Sequence, residues 1–413
     1  MKVLVIGDGG REHAIIWKLS RSKHIDKIYS SPGNAGIAEI AECINISPND
    51  FNSLVDFVKY EWVDLTIACS EKFISNDIVS VFQREGRRIL GPDRTSAQVR
   101  LNRVYAKDLM RLYRIPTAEY KVFSSYLHAQ DHIRLKGAPI VIKLDGRSEG
   151  GGCFIASTVE EAIGALKLIM EEKIFGDAGK RVIIEENLKG EKLTFALFTD
   201  GRSILPITGL YINGCNELNS GAAGAYSPVP MLEEKLVTYI KEKIMCALLK
   251  AFHSEGIKYK GFISADLIVN NDKAYVFDLN WGFGDLEAQT ILPRLKTDLT
   301  DLMLAATDEK LYDTVLEWEQ NASVCIAASS MGHQADSGES STVSGLEKIK
   351  TMKDVFVFHD NTSFNNSDIV TPGGKVVSIT ATGKDIKDAR IKAYNAIEKI
   401  HFEGMYYRKD IAE

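Results

Sequence analysis

The sequence lacks several features that would point to particular classes of protein. It has no apolar run of the ~18 residues that a membrane-spanning helix needs, and its start lacks the regions of a signal peptide. Long basic blocks are also absent and the formal net charge is −6, so no clustered basic face for nucleic acid is indicated. These absences predict a soluble, cytoplasmic protein that binds neither membranes nor nucleic acid.

Cysteine is sparse and scattered, and no CxxC pair occurs. The six residues are Cys43, Cys69, Cys153, Cys215, Cys246 and Cys325. Zinc sites and disulfide frameworks need closely or regularly spaced cysteines, so neither is indicated. We expect reduced, mostly buried thiols, as in a cytosolic protein.

The 413 residues are too many for one core, and they predict two to four domains. In residues 1–100, short apolar strands alternate with helical segments. The first strand, 3–6, is apolar on both faces, as parallel strands buried on both sides are. This alternation predicts an open parallel sheet. Gly91-Pro92 closes the unit, so the first boundary is placed near residue 100.

Beyond residue 100 the pattern changes to mixed helices and strands. Residues 97–113 are predicted to form one helix. A compact unit at about 120–188 lies within a larger domain at 101–322, and residues 323–413 form a last, β-rich domain. Its closing helix is predicted over 385–401, where alanine and isoleucine recur at helical spacing. The fold class is therefore α/β in the first domain and α+β in the others.

Two glycine-rich loops follow strands in the first domain. Gly7-Asp8-Gly9-Gly10-Arg11-Glu12 lies between a strand and a helix, where main-chain N–H groups can approach a phosphate. It lacks the third glycine of the dinucleotide fingerprint, which disfavours an NAD site, and a tight structural turn is another interpretation. The second loop, Ser31-Pro32-Gly33-Asn34-Ala35-Gly36, lies where such a sheet binds its ligand, so the pair favours a phosphate-bearing substrate.

Basic side chains and a glycine cluster in the second domain suggest a triphosphate site. Arg103 lies on a predicted helix, Lys143 extends the apolar strand 140–142, and Glu149-Gly150-Gly151-Gly152 links two strands. Cations from separate places can converge on one triphosphate, and a glycine loop can close over it. Taken singly, each residue would be an ordinary surface residue. This alternative fits Lys143 less well, because Lys143 extends an apolar strand.

The strand that ends at Glu185-Glu186-Asn187-Leu188 is a weaker signal. Its main-chain groups can pair with the edge of an adenine. Glutamate pairs are common on surfaces, so this segment predicts little without the triphosphate site.

Oxygen-bearing side chains end two neighbouring strands. Asp266 lies on one strand, and Asp278 and Asn280 end the next, two residues apart and therefore on one face. Carboxylate and amide oxygens without soft ligands suit Mg²⁺ that bridges phosphates. Polar residues of a turn are the alternative. Gly282-Phe283-Gly284-Asp285 follows as a flexible loop that could face a substrate.

Together these segments resemble the glycinamide ribonucleotide synthetase family of ATP-grasp ligases over nearly the whole chain. The resemblance is carried by residues 3–14, 32–36, 115–118, 137–143, 175–179, 224–228, 283–285, 371–376 and 408–411. It implies central ATP-grasp domains between the N-terminal parallel sheet and the C-terminal β-rich domain.

The resemblance also implies a reaction. Glycine's carboxylate attacks the γ-phosphate of ATP to give an acyl phosphate, and the amine of phosphoribosylamine then displaces phosphate. Catalysis of this kind is positioning and charge neutralisation, with no covalent protein intermediate. The implied cofactors are ATP and Mg²⁺, with Mn²⁺ as a substitute. The implied partners are a small-molecule amine and carboxylate, and the chain is expected to be a monomer or homodimer.

The resemblance assigns residues to four roles. Those expected to bind ATP are Arg103, Lys143, Gly150, Gly151, Gly152, Glu185, Glu186 and Leu188. Those expected to bind the ribose-phosphate substrate are Gly10, Glu12, Gly33, Asn34 and Lys296. The expected metal ligands are Asp278 and Asn280, together with Asp266, which lies where many other ATP-grasp enzymes have a metal ligand. The expected catalytic residues are Lys143 and Asp285.

Several positions depart from the family pattern. Arg103 and Gly151 stand where the family has lysines, and Lys192 replaces a ribose-binding glutamate. Tyr211-Ile212-Asn213 replaces a basic stretch, and Gly282 replaces an arginine. Two alternatives therefore stay open: a diverged ligase for another amine and carboxylate in a specialised pathway, and a non-catalytic relative that binds a ligand or partner.

Overall fold

The computed structural model describes residues 1–68, 77–146, 152–213, 223–330 and 340–413, without the side chains of 208, 209, 212 and 213. The described strands are β1 (Lys2–Gly7), β2 (Lys27–Pro32), β3 (Glu42–Cys43), β4 (Leu65–Ala68), β5 (Ile89–Leu90), β6 (Tyr120–Phe123), β7 (Ile140–Leu144), β8 (Cys153–Ala156), β9 (Val182–Glu186), β10 (Glu191–Thr199), β11 (Ile204–Asn213), β12 (Gly224–Ser227), β13 (Gly261–Asn270), β14 (Lys273–Trp281), β15 (Ala322–Ser330), β16 (Ser341–Thr342), β17 (Val355–His359), β18 (Ser363–Asn365), β19 (Asp368–Thr371), β20 (Gly374–Gly383) and β21 (Met405–Tyr406).

The described α-helices are α1 (Gly10–Leu19), α2 (Phe51–Tyr60), α3 (Ile78–Arg84), α4 (Arg94–Leu101), α5 (Arg103–Leu112), α6 (Tyr126–Lys136), α7 (Val159–Met170), α8 (Glu234–Tyr239), α9 (Cys246–Ser254), α10 (Asp285–Ile291), α11 (Leu299–Thr307), α12 (Leu346–Ile349) and α13 (Ile386–Ile397). A π-helical turn, Ile240–Met245, joins α8 to α9. None of these helices is both long and apolar enough to cross a membrane.

The first domain contains a five-stranded sheet in the order β3-β2-β1-β4-β5, with all pairings parallel. Along β1, Val3 and Val5 face one hydrophobic core while Leu4 and Ile6 face another. Both faces of the sheet are therefore buried, which explains the continuous apolar run. The predicted open parallel sheet is confirmed.

The single helix predicted over 97–113 is wrong, because α4 and α5 are separate helices that meet at Asn102. Asn102 has an extended backbone (φ −127°, ψ 97°), and its side chain accepts a hydrogen bond from the N–H of Tyr105 at 2.8 Å. Asparagine stabilises a helix start in this way. The break places Arg103 in the first turn of α5, beside β7.

The second domain contains two sheets. A four-stranded antiparallel sheet, β6-β9-β7-β8, is packed against α6 and α7. A larger antiparallel sheet runs in the order β14-β13-β10-β11-β12-β15-β20-β17, and β21 pairs with β15. Since β12 pairs with β15, the large sheet continues across the domain boundary predicted between residues 322 and 323. The α/β and α+β class is confirmed.

Two smaller predictions differ from the structure. The closing helix ends at Ile397, short of the predicted residue 401. Of the four cysteines in the described segments, only Cys325 is buried; Cys43 is exposed, and Cys153 and Cys246 are half-buried. Cys43 is exposed because it lies on β3, a two-residue strand at the sheet edge with both residues open to solvent.

Candidate active site

One face of β13 and β14 carries the predicted oxygen donors. The two strands pair so that Asp266 lies opposite Asp278, and Ser264 lies opposite Asn280. Just past this point the register shifts, and Phe277 becomes the extra residue of a β-bulge. A bulge re-aims side chains, and both Phe277 and Asp278 are only partly buried. The bulge therefore turns two consecutive side chains of β14 toward the side of the sheet that faces Arg100, Arg103 and Lys143, which we call the cleft.

Cations from three other elements converge on this face. Arg100 of α4 and Arg103 of α5 place Nη atoms 3.1 and 3.6 Å from Oδ2 of Asp278. Lys143 of β7 donates from Nζ to the carbonyl oxygen of Phe277 at 2.6 Å. Residues separated by up to 178 positions thus meet at one place. Arg100 was not predicted, since only the packing of α4 against β14 brings it there.

Electrostatics keep Asp278 charged. Burial would raise the pKa of Asp278, but Arg100, Arg103 and Lys143 together lower it well below the usual range of an aspartate. For Asp266 burial dominates, so its pKa is raised. Asp278 therefore offers an ionised carboxylate at neutral pH, already surrounded by cationic groups.

A buried chain of three charges lies behind the cleft. Glu185 of β9 receives Lys143 Nζ at 3.1 Å on one oxygen and Lys107 Nζ at 2.9 Å on the other. Burial lowers the pKa of Lys107 to about 8, despite the attraction of Glu185. Sequence analysis missed Lys107, although it follows Arg103 by four residues and thus lies on the same helix face.

The rest of the predicted nucleotide segment surrounds this chain. The N–H of Glu186 donates to the carbonyl of Glu119 at 3.1 Å, and the exposed Glu186 side chain accepts from the N–H of Glu119 at 2.9 Å. Leu188 is half-buried beyond the strand. Gly152 has φ +66°, and its carbonyl accepts from the N–H of Leu144. Gly150 and Gly151 lie outside the described residues.

The two glycine-rich loops of the first domain lie side by side. The N–H of Gly33 donates to the carbonyl of Gly7 at 3.2 Å, and Asn34 Nδ2 donates to the carbonyls of Asp8 and His359 at 2.7 and 2.9 Å. Glu12 caps its own helix by accepting from the N–H of Gly9 at 3.0 Å. The Asn34 side chain thus ties the second loop to the first, whereas Glu12 orders the first loop itself.

The start of α1 meets two carboxylates from other parts of the chain. The N–H of Gly10 donates to Asp360 at 3.0 Å, and that of Arg11 donates to Asp285 at 3.3 Å. Lys375 lies between them, 2.6 Å from Asp285 and 3.2 Å from Asp360. Burial raises the pKa of Asp360 to about 6, whereas Lys375 and Arg11 outweigh burial and lower that of Asp285.

Lys296 is not brought to the glycine-rich loops. Its Nζ lies 2.8 Å from Glu317, and its side chain is 58% exposed. The neighbouring Leu295 carbonyl contacts Lys18 near the end of α1, and eight residues of helix separate Lys18 from Gly10, or roughly 12 Å. Lys296 therefore lies toward the opposite end of α1 from the predicted substrate loops.

Family models match three consecutive parts of the chain. They describe the N domain of phosphoribosylglycinamide synthetase at residues 1–100, its ATP-grasp (A) domain at 101–288 and its C domain at 323–413. A phosphoribosylamine–glycine ligase of Caldanaerobacter subterraneus is 41% identical over 417 aligned positions, which cover 100% of this chain and 99% of that protein. The chain belongs to the phosphoribosylglycinamide synthetase family.

Solved structures agree with this family membership. A phosphoribosylamine–glycine ligase of Thermotoga maritima is 27% identical, with a TM-score of 0.83 and full coverage of both chains. The biotin carboxylase domain of a Hydrogenobacter thermophilus 2-oxoglutarate carboxylase, crystallised with MgADP, has a TM-score of 0.73 at 14% identity, with 98% of this chain and 91% of that one covered; at that identity only the fold is comparable. The predicted resemblance is confirmed, and the chain is an ATP-grasp ligase.

The departures from the family pattern can now be placed. Lys192 of β10 lies near the cleft, with Nζ 5.5 Å from the centroid of the Phe277 ring. Gly282 has φ +75°, a conformation that side chains rarely adopt. The ring of Tyr211 stacks on that of Tyr226 at 5.4 Å. Gly151 lies outside the described residues.

Proposed function

We propose that this ligase joins glycine to phosphoribosylamine with ATP, in the cytoplasm. A carboxylate oxygen of glycine attacks the γ-phosphorus of ATP, and ADP leaves. The amine nitrogen then attacks the acyl carbon, the C–O bond to phosphate breaks, and the nitrogen loses a proton. The products are an amide, ADP and phosphate. The two named relatives carry the name of this reaction.

The observation that carries the proposal is the convergence of Arg103 and Lys143 on Asp278. Arg103 lies 3.6 Å from the carboxylate of Asp278, and Lys143 bonds the carbonyl of the residue before it. Cationic groups beside an ionised carboxylate suit a triphosphate with its metal. Arg103, Lys143 and the loop with Gly150, Gly151 and Gly152 would bind phosphates, with Lys143 also catalytic.

Adenine would lie against the hinge between the two sheets of the second domain. Main-chain groups of Glu185, Glu186 and Leu188 would meet its edge. Both Glu185 oxygens lie within 3.1 Å of a buried lysine, and this supports recognition through the main chain of the segment.

The oxygen donors fit Mg²⁺, with Mn²⁺ as a substitute. Asp278 is ionised and lies opposite Asp266 across the two strands; hard divalent cations take such oxygen ligands. We propose that Asp278 and Asn280 hold the metal, with Asp266 as a further ligand or support. A bound cation would neutralise the charge that develops on the phosphates.

The ribose phosphate is proposed to bind at the two glycine-rich loops, at Gly10, Glu12, Gly33 and Asn34. The proposal is supported by the hydrogen bonds that hold the two loops side by side. A phosphate at the start of α1 would have to displace a carboxylate, because the N–H of Gly10 donates to Asp360. Since Asp285 lies in the same cluster, it is proposed to position the amine. Lys296 lies toward the opposite end of α1, so it has no part in this proposed site.

A second candidate is a ligase for another amine and carboxylate. It is favoured by Lys192 and Gly282, which change the charge and size of side chains near Phe277 and the loop before Asp285. Lysine cannot accept the hydrogen bonds that a glutamate accepts from hydroxyl groups. A change of substrate contacts can therefore accompany an intact ATP site.

The test is ADP and phosphate release by the full chain with Mg²⁺, ATP, glycine and freshly generated phosphoribosylamine. The proposal expects release that stops when either substrate is omitted, and that is lost in Lys143→Met. Release with another amine or carboxylate, but not this pair, would support the second candidate. If calorimetry detected no binding of ATP with Mg²⁺, a non-catalytic relative would be the better interpretation.

A further inference from the structure

Asp266 takes part in a chain of side-chain hydrogen bonds that crosses three adjacent strands. Thr194 Oγ1 of β10 donates to Asp266 Oδ1 at 2.7 Å, and Asn280 Nδ2 of β14 donates to Asp266 Oδ2 at 3.0 Å. Thr194 lies directly opposite Asp266 in the pairing of β10 with β13. Both carboxylate oxygens therefore accept hydrogen bonds from neighbouring strands.

This arrangement fixes which way round the Asn280 amide lies. Asn280 Nδ2 is the donor to one Asp266 oxygen and Thr194 Oγ1 is the donor to the other, so the Asn280 amide turns its NH₂ group toward Asp266. Its carbonyl oxygen, Oδ1, then points away from Asp266. Within the part of the chain that the structure describes, no hydrogen bond is donated to Asn280 Oδ1. That oxygen is available on the face that also carries Asp278.

We propose that Asp266 is a positioning residue, which holds the Asn280 amide with its oxygen directed to the metal. The inference rests on the proposed function, because it assumes that Asp278 and Asn280 bind a divalent cation. Thr194 of β10 holds Asp266 of β13 in turn, and Asp266 then orients Asn280 of β14. Partners that orient a metal ligand typically change metal affinity about 10–100-fold when they are removed.

Four variants separate this role from direct ligation. Asp266→Ala removes the hydrogen bond to Asn280, whereas Asp266→Asn keeps an oxygen for Asn280 and an NH₂ group for Thr194 Oγ1, but removes the charge. Asn280→Asp places two carboxylates against each other. In the reciprocal exchange, Asp266→Asn with Asn280→Asp, the donor and acceptor trade strands and the hydrogen bond is restored. Ser264→Ala on the same face of β13 is the matched control.

The measurement is Mn²⁺ affinity by electron paramagnetic resonance, with a non-hydrolysable ATP analogue present. We expect Asp266→Ala and Asn280→Asp each to weaken Mn²⁺ binding about 10-fold or more. Asp266→Asn and the reciprocal exchange should stay within about threefold of wild type, as should Ser264→Ala. Thermal unfolding confirms that each variant is folded.

Three outcomes would overturn the inference. If Asp266→Asn weakened binding as much as Asp266→Ala, the carboxylate itself would be a ligand, as the sequence predicted. If Asp266→Ala bound Mn²⁺ as tightly as the wild type, Asp266 would have no role in metal binding. If the exchange variant bound Mn²⁺ no more tightly than Asn280→Asp, the orienting role of the hydrogen bond would be contradicted. This comparison does not depend on whether Asp266→Ala folds. Failure of the wild type to bind Mn²⁺ with the nucleotide would instead overturn the proposed function.

Discussion

Among single residues, Lys107 shows how a buried charge can act on the cleft without facing it. We expect Lys107→Met to raise the KM for ATP about tenfold, equivalent to about 1.4 kcal/mol, with a smaller change in kcat. Glu185 has two lysines within 3.1 Å, Lys107 and Lys143. Without Lys107, Glu185 would attract Lys143 more strongly and draw it away from the phosphates. Steady-state kinetics and titration with an ATP analogue measure this.

The matched control is Lys121→Met, since Lys121 is exposed on β6. Exposed substitutions usually change stability by less than about 0.5 kcal/mol, and we expect no change in ATP affinity. Unaltered nucleotide binding by a folded Lys107→Met protein would show that Glu185 keeps Lys143 in place without its second partner.

At this scale, sequence reasoning worked where spacing along one strand decides the geometry. Asp278 and Asn280 are two apart and therefore share a face, as predicted. It failed where packing decides: Arg100 reaches Asp278 only because α4 lies against β14, and Lys296 is separated from Gly10 by the length of α1. Nothing in the order of residues could show that Asp360, 350 positions away, caps α1.

At the scale of elements, Gly36 allows the loop after β2 to pack against the third domain. A Cβ at Gly36 would lie 2.4 Å from Cε1 of His13 and 2.6 Å from Cδ2 of His359. Two buried rings cannot both move aside, so we expect Gly36→Ala to lower the free energy of unfolding by about 1–3 kcal/mol. Denaturant unfolding monitored by circular dichroism measures the change.

Gly164→Ala provides the opposite case. Gly164 lies within α7, and a Cβ there would meet nothing within 4 Å. Alanine is preferred to glycine inside a helix, by about 0.8–1 kcal/mol, so this variant should be more stable. Equal unfolding midpoints for the two alanine variants would refute the steric account of Gly36.

The elements themselves were largely predictable, because hydrophobic period and turn residues are local signals. The parallel sheet followed from strands such as β1 that are apolar on both faces. The break between α4 and α5 was missed, because Asn102 caps a helix within an otherwise continuous helical pattern. The pairing of β12 with β15 joins segments about 100 residues apart in the sequence, which local patterns cannot reveal.

For the whole molecule, the contact between α1 and β17 makes stability depend on pH. His13 Nδ1 accepts a hydrogen bond from the N–H of His359 at 2.9 Å. Burial lowers the pKa of His13 to about 3 and that of His359 to about 4, from 6.5. The unfolded chain therefore binds more protons below pH 6.5, so the stabilisation is complete above that pH and is lost as pH falls toward 3–4.

We expect His13→Gln to reduce this acid sensitivity, because it removes one titrating ring while keeping an acceptor for His359. The wild type should lose about 2.5 kcal/mol more than the variant between pH 7 and 4.5. Denaturant unfolding at both pH values gives the difference. His128→Gln, on the exposed side of α6, should lose as much stability as the wild type between the two pH values. If all three proteins lost the same amount, the acid sensitivity would not come from His13.

Lys375 connects the three domains, because it joins Asp360 of the third domain to Asp285 of the second, and both carboxylates accept from the start of α1 in the first. Burial alone would lower the pKa of Lys375, but the two carboxylates outweigh it and raise it. Lys375→Met would leave two partly exposed carboxylates, with side chains 36% (Asp285) and 10% (Asp360) exposed, without their shared cation. Because solvent screens them, the loss of stability should be smaller than the about 3–5 kcal/mol of a fully buried pair.

The loss of Lys375 should act on cooperativity as well as on total stability. Because the cluster is where all three domains meet, we expect calorimetric unfolding of Lys375→Met to separate into two transitions at pH 7. Lowering the pH to 5 should partly rejoin them, since it protonates Asp360, whose pKa is about 6 beside Lys375 and higher without that cation, and so removes one of the unpaired charges. Lys399→Met, exposed on the surface of the third domain, should keep the wild-type profile. A single transition for Lys375→Met at both pH values would mean that the remaining contacts, among them the pairing of β12 with β15, are enough to couple the domains.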